Sequence, residues 1–383
     1  MNNRIIIATG ALLFILSIYF SYAYFSSARV GGPGSNYSGT TNSNQTSTLD
    51  ISSEEPKTES CPINGKMLTK SHKNAWENRR PLGIAIENHI DSRPQSGLSN
   101  ADVVYEAVAE GGITRFLGIF YCEDAPRVGP VRSARIYFID LLSGHGSYPL
   151  YSHVGGANTD GPADALGAIS TLGWDGYNDL NQFAVPFPVY YRDYELLPNV
   201  ATEHTMYSST QKLWGFASSK RGLTGKDKSG TSWEQGFKPW KFKEDGSSKG
   251  AVATISFGFW DGGRNYEVKW AYDTATNSYK RFNAGAPHLD NNTKKELTSR
   301  NVAIAFMKES PANDGYEGGH LLYKTTGAGK AIVFMDGNAI EGQWEKAKRT
   351  DTLRFVDKSG SEIKFNRGQI FVEIVPQGNT VHY

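Results

Sequence analysis

The feature that most constrains this chain is a run of twenty residues without a charge, Ile5 to Tyr24. Sixteen are apolar, the exceptions being Thr9, Gly10, Ser17 and Ser21. About 20 apolar residues span the hydrocarbon core of a bilayer as a helix. Arg4 and the free amine precede the run, a bias that keeps the amino terminus inside and sends the rest outside. The rival is a cleaved signal segment with Ser26 and Ala28 before the cut, which leaves the body secreted. Its apolar core is typically about 7–15 residues, so the longer run here favours an uncleaved anchor. No Cys directly follows it, so lipid attachment there is not expected. Residues 26–60 hold 21 Ser, Thr, Gly or Asn among 35. Such a segment buries too little apolar surface to offset its ordering entropy, and as a flexible coil it reaches roughly 30 Å. The expected layout is a membrane anchor or signal segment over 1–25, a tether over 26–60, and a folded extracytoplasmic body.

Charge narrows the partners of that body. Forty Lys and Arg against 39 Asp and Glu give a net +1, which favours neither nucleic acid nor an acidic surface. No basic stripe with interleaved aromatics is present. Only two cysteines occur, which excludes a zinc site of four thiolates. Cys61 and Cys122 both lie in the exported part, where they can bond or remain unpaired; a bridge needs their α-carbons within about 7 Å.

The first folded domain is expected over 61–222. Leu82–Glu87 reads as a short apolar strand. Asp102–Glu110 and Ile113–Tyr121 flank Gly111-Gly112, and two glycines between β-compatible runs signal a two-residue hairpin. Pairing across that turn sets Glu110 against Ile113, Val108 against Arg115 and Glu106 against Leu117. Directly opposed residues share a face, as do residues two apart. Glu106, Glu110 and Arg115 are therefore expected together, either as a cross-strand ion pair on a solvated face or as a carboxylate-positioned arginine in a cleft.

GPVRSAR at 129–135 leads into IYFIDLLSG. Ile136, Ile139 and Leu142 recur at helical spacing, with Ser133 as the expected cap and Gly144 as the stop. Arg132 and Arg135 then crowd a helix amino terminus, where cations are unfavourable and an anion is favoured. The alternative is that both side chains turn away to acids such as Asp124 or Asp140. Tyr148–Val154 reads as a strand that delivers His153 in front of Gly155-Gly156. His145 and His153 have no third ligand in view and no HExxH motif occurs, so no metal site is expected. Helices are expected over Pro162–Ser170 and from Ser209 to about Lys220. Residues 183–198 form a loop carrying Arg192, and His204 follows it.

NHIDSRPQSGLSNADVVYEAVAEGGITRFLGIFY, GPVRSARIYFIDL, HVGG and YYRD, in that order, resemble the YerB-like lipoproteins, a bacterial family with an amino- and a carboxy-terminal domain. The resemblance spans roughly 62–378. It implies an extracytoplasmic, membrane-attached protein and supplies no activity. The family's lipid-modified Cys is absent, and Ile5–Tyr24 stands in its place. At Glu203-His204-Thr205 the chain departs from the Pro and Asn that flank this His in the family.

Residues 223–250 are polar and mark the expected linker. Over 251–383 the pattern is β: Val268 and Trp270 alternate before the return at Tyr279–Phe282, Asp336-Gly337-Asn338 separates two strands, and Ile370–Val375 supplies the last. The fold class read from this is α+β, a mixed α/β amino-terminal domain with a hairpin-containing sheet and a β-rich antiparallel carboxy-terminal domain. No phosphate loop, dinucleotide fingerprint or nucleophile elbow is present, so no cofactor is expected. Two function classes remain. The favoured one is an envelope protein binding an anionic cell-wall or lipid-carrier group through Arg115, Arg132, Ser133, Arg135 and Arg192. The other is an envelope phosphoryl transferase or hydrolase that uses the same arginines, with Glu106, Glu110, His153 or His204 as base.

Overall fold

The computed structural model describes residues 55–246 and 250–383. The Ile5–Tyr24 run lies outside the described residues. Among the described residues no helix is long and apolar enough to cross a membrane.

The fold is α+β, organised by one ten-stranded mixed sheet. Its strands from the first half of the chain are β1 (Leu82–Glu87), β2 (Val103–Glu110), β3 (Ile113–Phe120), β4 (Leu150–His153) and β5 (Asp179–Asn181). A smaller antiparallel sheet follows, built mainly from β6 (Thr254–Phe257), β7 (Val268–Asp273) and β8 (Ser278–Asn283). The second half then returns to the large sheet with β9 (Asn301–Met307), β10 (Gly327–Met335), β11 (Asn338–Lys346), β12 (Arg354–Asp357) and β13 (Ile370–Pro376). The spatial order is β12-β11-β10-β9-β13-β2-β3-β1-β4-β5. Strands β1, β9 and β13 are buried along their whole length. Their near-continuous apolar runs, rather than strict alternation, fit strands covered on both faces.

The carboxy-terminal region is β-rich: it forms the smaller antiparallel sheet and also sends five strands into the large mixed one. β13 lies parallel to β9 on one side and to β2 on the other. The last strand of the chain thus enters the middle of the sheet, and both halves share one core. The polar 223–250 segment is held to that core by Trp233 and Trp240, both buried. Phe242–Lys243 also pairs with Phe365–Asn366.

Among the described residues four α-helices of seven residues each decorate the sheet: α1 (Lys70–Trp76), α2 (Ile136–Leu142), α3 (Ala165–Thr171) and α4 (Thr210–Phe216). Thr69, Asp164 and Ser209 cap α1, α3 and α4 by accepting from backbone N–H groups, as short polar side chains do at N-caps. The N-cap of α2 is Arg135, with no side-chain cap bond, so Ser133 does not cap it. Cys61 and Cys122 form a disulfide with α-carbons 6.0 Å apart.

Candidate functional site

Gly111 and Gly112 both sit at positive φ, +56° and +77°, as the tight turn between right-twisted strands requires. Glu110 opposes Ile113 as expected, but a bulge then shifts the register. Below it Val108 faces Thr114, Ala107 faces Arg115 and Glu106 faces Phe116. One extra residue in a strand transfers everything beyond it to the opposite face. Glu110 and Arg115 therefore stay together, while Glu106 leaves their face.

On the Arg115 face, one carboxylate serves two guanidinium groups. Arg115 Nη2 lies 3.5 Å from Glu110 Oε2, and Arg135 makes an ion pair with the other oxygen of the same carboxylate. Arg115 also donates to the Ser133 carbonyl at 3.0 Å and Arg135 to the Ala134 carbonyl at 2.6 Å. Ser133 thus contributes its backbone oxygen rather than its hydroxyl. The Nε atoms of Arg115 and Arg135 and the hydroxyl of Tyr151 are buried without hydrogen-bond partners. Burial pushes both guanidinium groups below their ordinary range. Burial also drives the Tyr137 and Tyr151 hydroxyls upward, against the pull of the two arginines.

Glu87, at the end of β1, opposes Arg115 across the β1–β3 ladder and joins this cluster to a second one. Its Oε1 lies 3.0 Å from Arg132 Nε, and its Oε2 accepts from His204 Nδ1 at 2.9 Å. Arg132 is held with its backbone N–H on the Ala85 carbonyl. Its charge is disfavoured first by burial and also by Arg115, while Glu87 opposes both. Arg115, Arg132 and Arg135 thus gather around Glu87 and Glu110, three cations around two anions.

The other expected site residues lie elsewhere or are engaged. Glu106 is fully buried on the opposite face, paired with Arg281 and accepting from Thr114 and Asn88. It is not available to the arginine cluster. His153 is buried with Nε2 2.6 Å from Asp179 and Nδ1 2.6 Å from the Gly155 carbonyl; both ring nitrogens face acceptors, so neither is free for a substrate. Arg192 is exposed and braces the 202–205 turn through the Thr202 carbonyl and Thr205 Oγ1. It supports the backbone around His204 instead of joining Glu110. His204 Nε2 makes no hydrogen bond among the described residues. Sequence reasoning missed Glu87; its one signal is a charge that ends the apolar run LGIAI. His145 and His288 are buried in the interior, His145 held down to about 3 by desolvation and His288 depressed chiefly by burial.

The two halves of this architecture correspond to a two-part class of bacterial protein. Residues 68–224 match the amino-terminal domain, and residues 256–372 the carboxy-terminal domain, of the protein family of unknown function DUF3048. The chain belongs to that family. It is 30% identical over 304 residues to "Putative lipoprotein YerB" of Bacillus subtilis (strain 168), covering 78% of this chain and 82% of that protein. The crystal structure of the YerB protein from Bacillus subtilis superposes with a TM-score of 0.68 at 25% identity, over 85% of this chain and all of that one.

Proposed function

We propose that this is an extracytoplasmic envelope protein, attached to the membrane through Ile5–Tyr24, that binds an anionic cell-wall or lipid-carrier group. The ligand chemistry is a phosphate or carboxylate, recognised by Arg115, Arg132 and Arg135. The observation that carries this reading is the pairing of two buried guanidinium groups with the single carboxylate of Glu110. Their Nε atoms are unpartnered donors, and arginine forks match oxyanions in geometry as well as charge. The lipoprotein description of the Bacillus relative supports the location. An enzymatic reading rests on His204 alone, because Glu106, His153 and Glu110 are engaged as described and, among the described residues, no activated nucleophile adjoins the cluster.

Calorimetric titration of the full-length chain with inorganic phosphate and with pyrophosphate tests the proposal. Saturable binding that is lost in Arg135→Ala and kept in Arg192→Ala is the expected result. Absence of saturable binding by either anion, or equal binding in both variants, would overturn it.

A further inference from the structure

His89, Asp91 and His204 bring one donor atom each within 4.8 Å of one another. His89 caps the short turn Ile90–Ser92, and Asp91 lies within that turn. His204 ends a second turn, Thr202–His204. The two imidazoles are stacked, with centroids 4.8 Å apart and planes 10° from parallel. We propose that these three residues form a binding site for a divalent transition-metal ion of the zinc type. The fourth position would be left to water.

The orientation of His204 is the first argument. Glu87 takes Nδ1 at 2.9 Å, which fixes the ring and leaves Nε2 as the coordinating lone pair. A buried carboxylate behind an imidazole is the usual outer support of a metal-ligating histidine, fixing its tautomer and raising its basicity. Glu87 is itself fixed by Arg132, and the 202–205 turn is braced by Arg192. His204 is therefore a preset ligand.

The donor set is the second argument. Two imidazoles and a carboxylate suit zinc and its neighbours, whereas calcium and magnesium prefer all-oxygen sites. Charge agrees. Glu87, Asp91 and Glu203 surround the site against Arg132, and Glu203 interacts electrostatically with both histidines. Glu87 is already balanced by its arginines, so Asp91 and Glu203 are the carboxylates that favour a dication.

The dimensions specify what must move. Two nitrogens on one zinc are at most about 4.2 Å apart, twice a bond of roughly 2.1 Å. Metal binding therefore draws the donors together and opens the stack, since a bound ion lies close to the plane of each ring. The half-buried His89 and the exposed Asp91 can make that adjustment, whereas His204 is held. This inference meets the anion reading only at Arg132, which holds Glu87; none of the three proposed ligands contacts Glu110, Arg115 or Arg135.

The test is zinc titration of the full-length chain after chelator treatment, read by competition with a chromophoric chelator and by the thermal midpoint. One equivalent of zinc is expected to bind and to raise the midpoint, with neither magnesium nor calcium competing. His89→Ala and Asp91→Asn lie on a surface turn outside the core. Each is expected to fold normally and to lose the stoichiometric equivalent. A wild-type chain that takes up no equivalent, or variants that bind zinc as the parent does, would overturn the assignment.

Discussion

Glu106 and Arg281 form an ion pair in which neither side chain has any exposed surface. Glu373 stands opposite Glu106 across the β13–β2 ladder and lies 3.8 Å from Arg281 Nε. It also accepts from Trp270 at 3.0 Å. Burial, then the Glu106 charge, raises the Glu373 carboxyl well above its usual range. One guanidinium from the smaller sheet thus balances the Glu106 carboxylate while the neighbouring Glu373 carboxyl holds its proton, and removing Arg281 leaves Glu106 buried without its cation. Breaking one side of a buried pair costs about 3–5 kcal/mol. Arg281→Met is expected to lose that much, measured by urea unfolding. A loss below about 1 kcal/mol would mean that the network contributes little.

A second buried acid sets a pH dependence. Asp102 accepts from the N–H groups of Tyr121 and Cys122, yet burial outweighs these bonds and pushes its carboxyl up to about 7 from 3.8. The native state thus holds the proton more tightly than the unfolded chain does. Its contribution is full below pH 3.8 and is lost as pH rises to about 7. Asp102→Asn keeps a neutral group in place. It is expected to flatten the decline of the unfolding free energy between pH 4 and pH 7. An unchanged slope in the variant would remove Asp102 as its source.

Much of the fold is legible locally. Gly111-Gly112 announces the hairpin, and the apolar runs of β1, β9 and β13 announce buried strands. What is not local is not legible. Nothing in VVYEAVAE marks the bulge after Val108, yet that one residue decides which face Glu106 occupies. Its true partner, Arg281, is 175 residues away. The entry of β13 between β9 and β2 is likewise a long-range choice, because a buried strand shows the same apolar run wherever it is inserted. The gathering of Arg115, Arg132 and Arg135 was readable from the hairpin and from GPVRSAR. Glu87, which ties Arg132 to a His204 that lies 117 residues beyond Glu87 itself, was readable only as a charge closing an apolar strand.

The disulfide gives a third expectation. Cys61 and Cys122 close a loop with a sequence separation of 61, and in the chain-entropy model such a crosslink contributes about 4 kcal/mol by restricting the unfolded chain. The double substitution to Ala is expected to lower the urea midpoint by a corresponding amount. An unchanged midpoint would show that the bridge is not a stabilising crosslink.

The arginine cluster predicts an asymmetry between its members. Arg135→Met leaves Glu110 with Arg115, one cation and one anion, so the charges still balance. Glu110→Gln leaves Arg115 and Arg135 buried together with no carboxylate between them. The glutamine is thus expected to be the more destabilising change, by about 3–5 kcal/mol, although the smaller and more conservative one. It also provides a sensitive readout of ligand chemistry. An anion that takes the carboxylate's place binds the native state and not the unfolded chain, so it stabilises by mass action, about 2.7 kcal/mol at a hundred times its dissociation constant. Phosphate is therefore expected to raise the thermal midpoint of Glu110→Gln more than that of the parent, and sodium chloride at equal ionic strength is not. If both salts act alike, the arginines are a structural pair that only Glu110 satisfies.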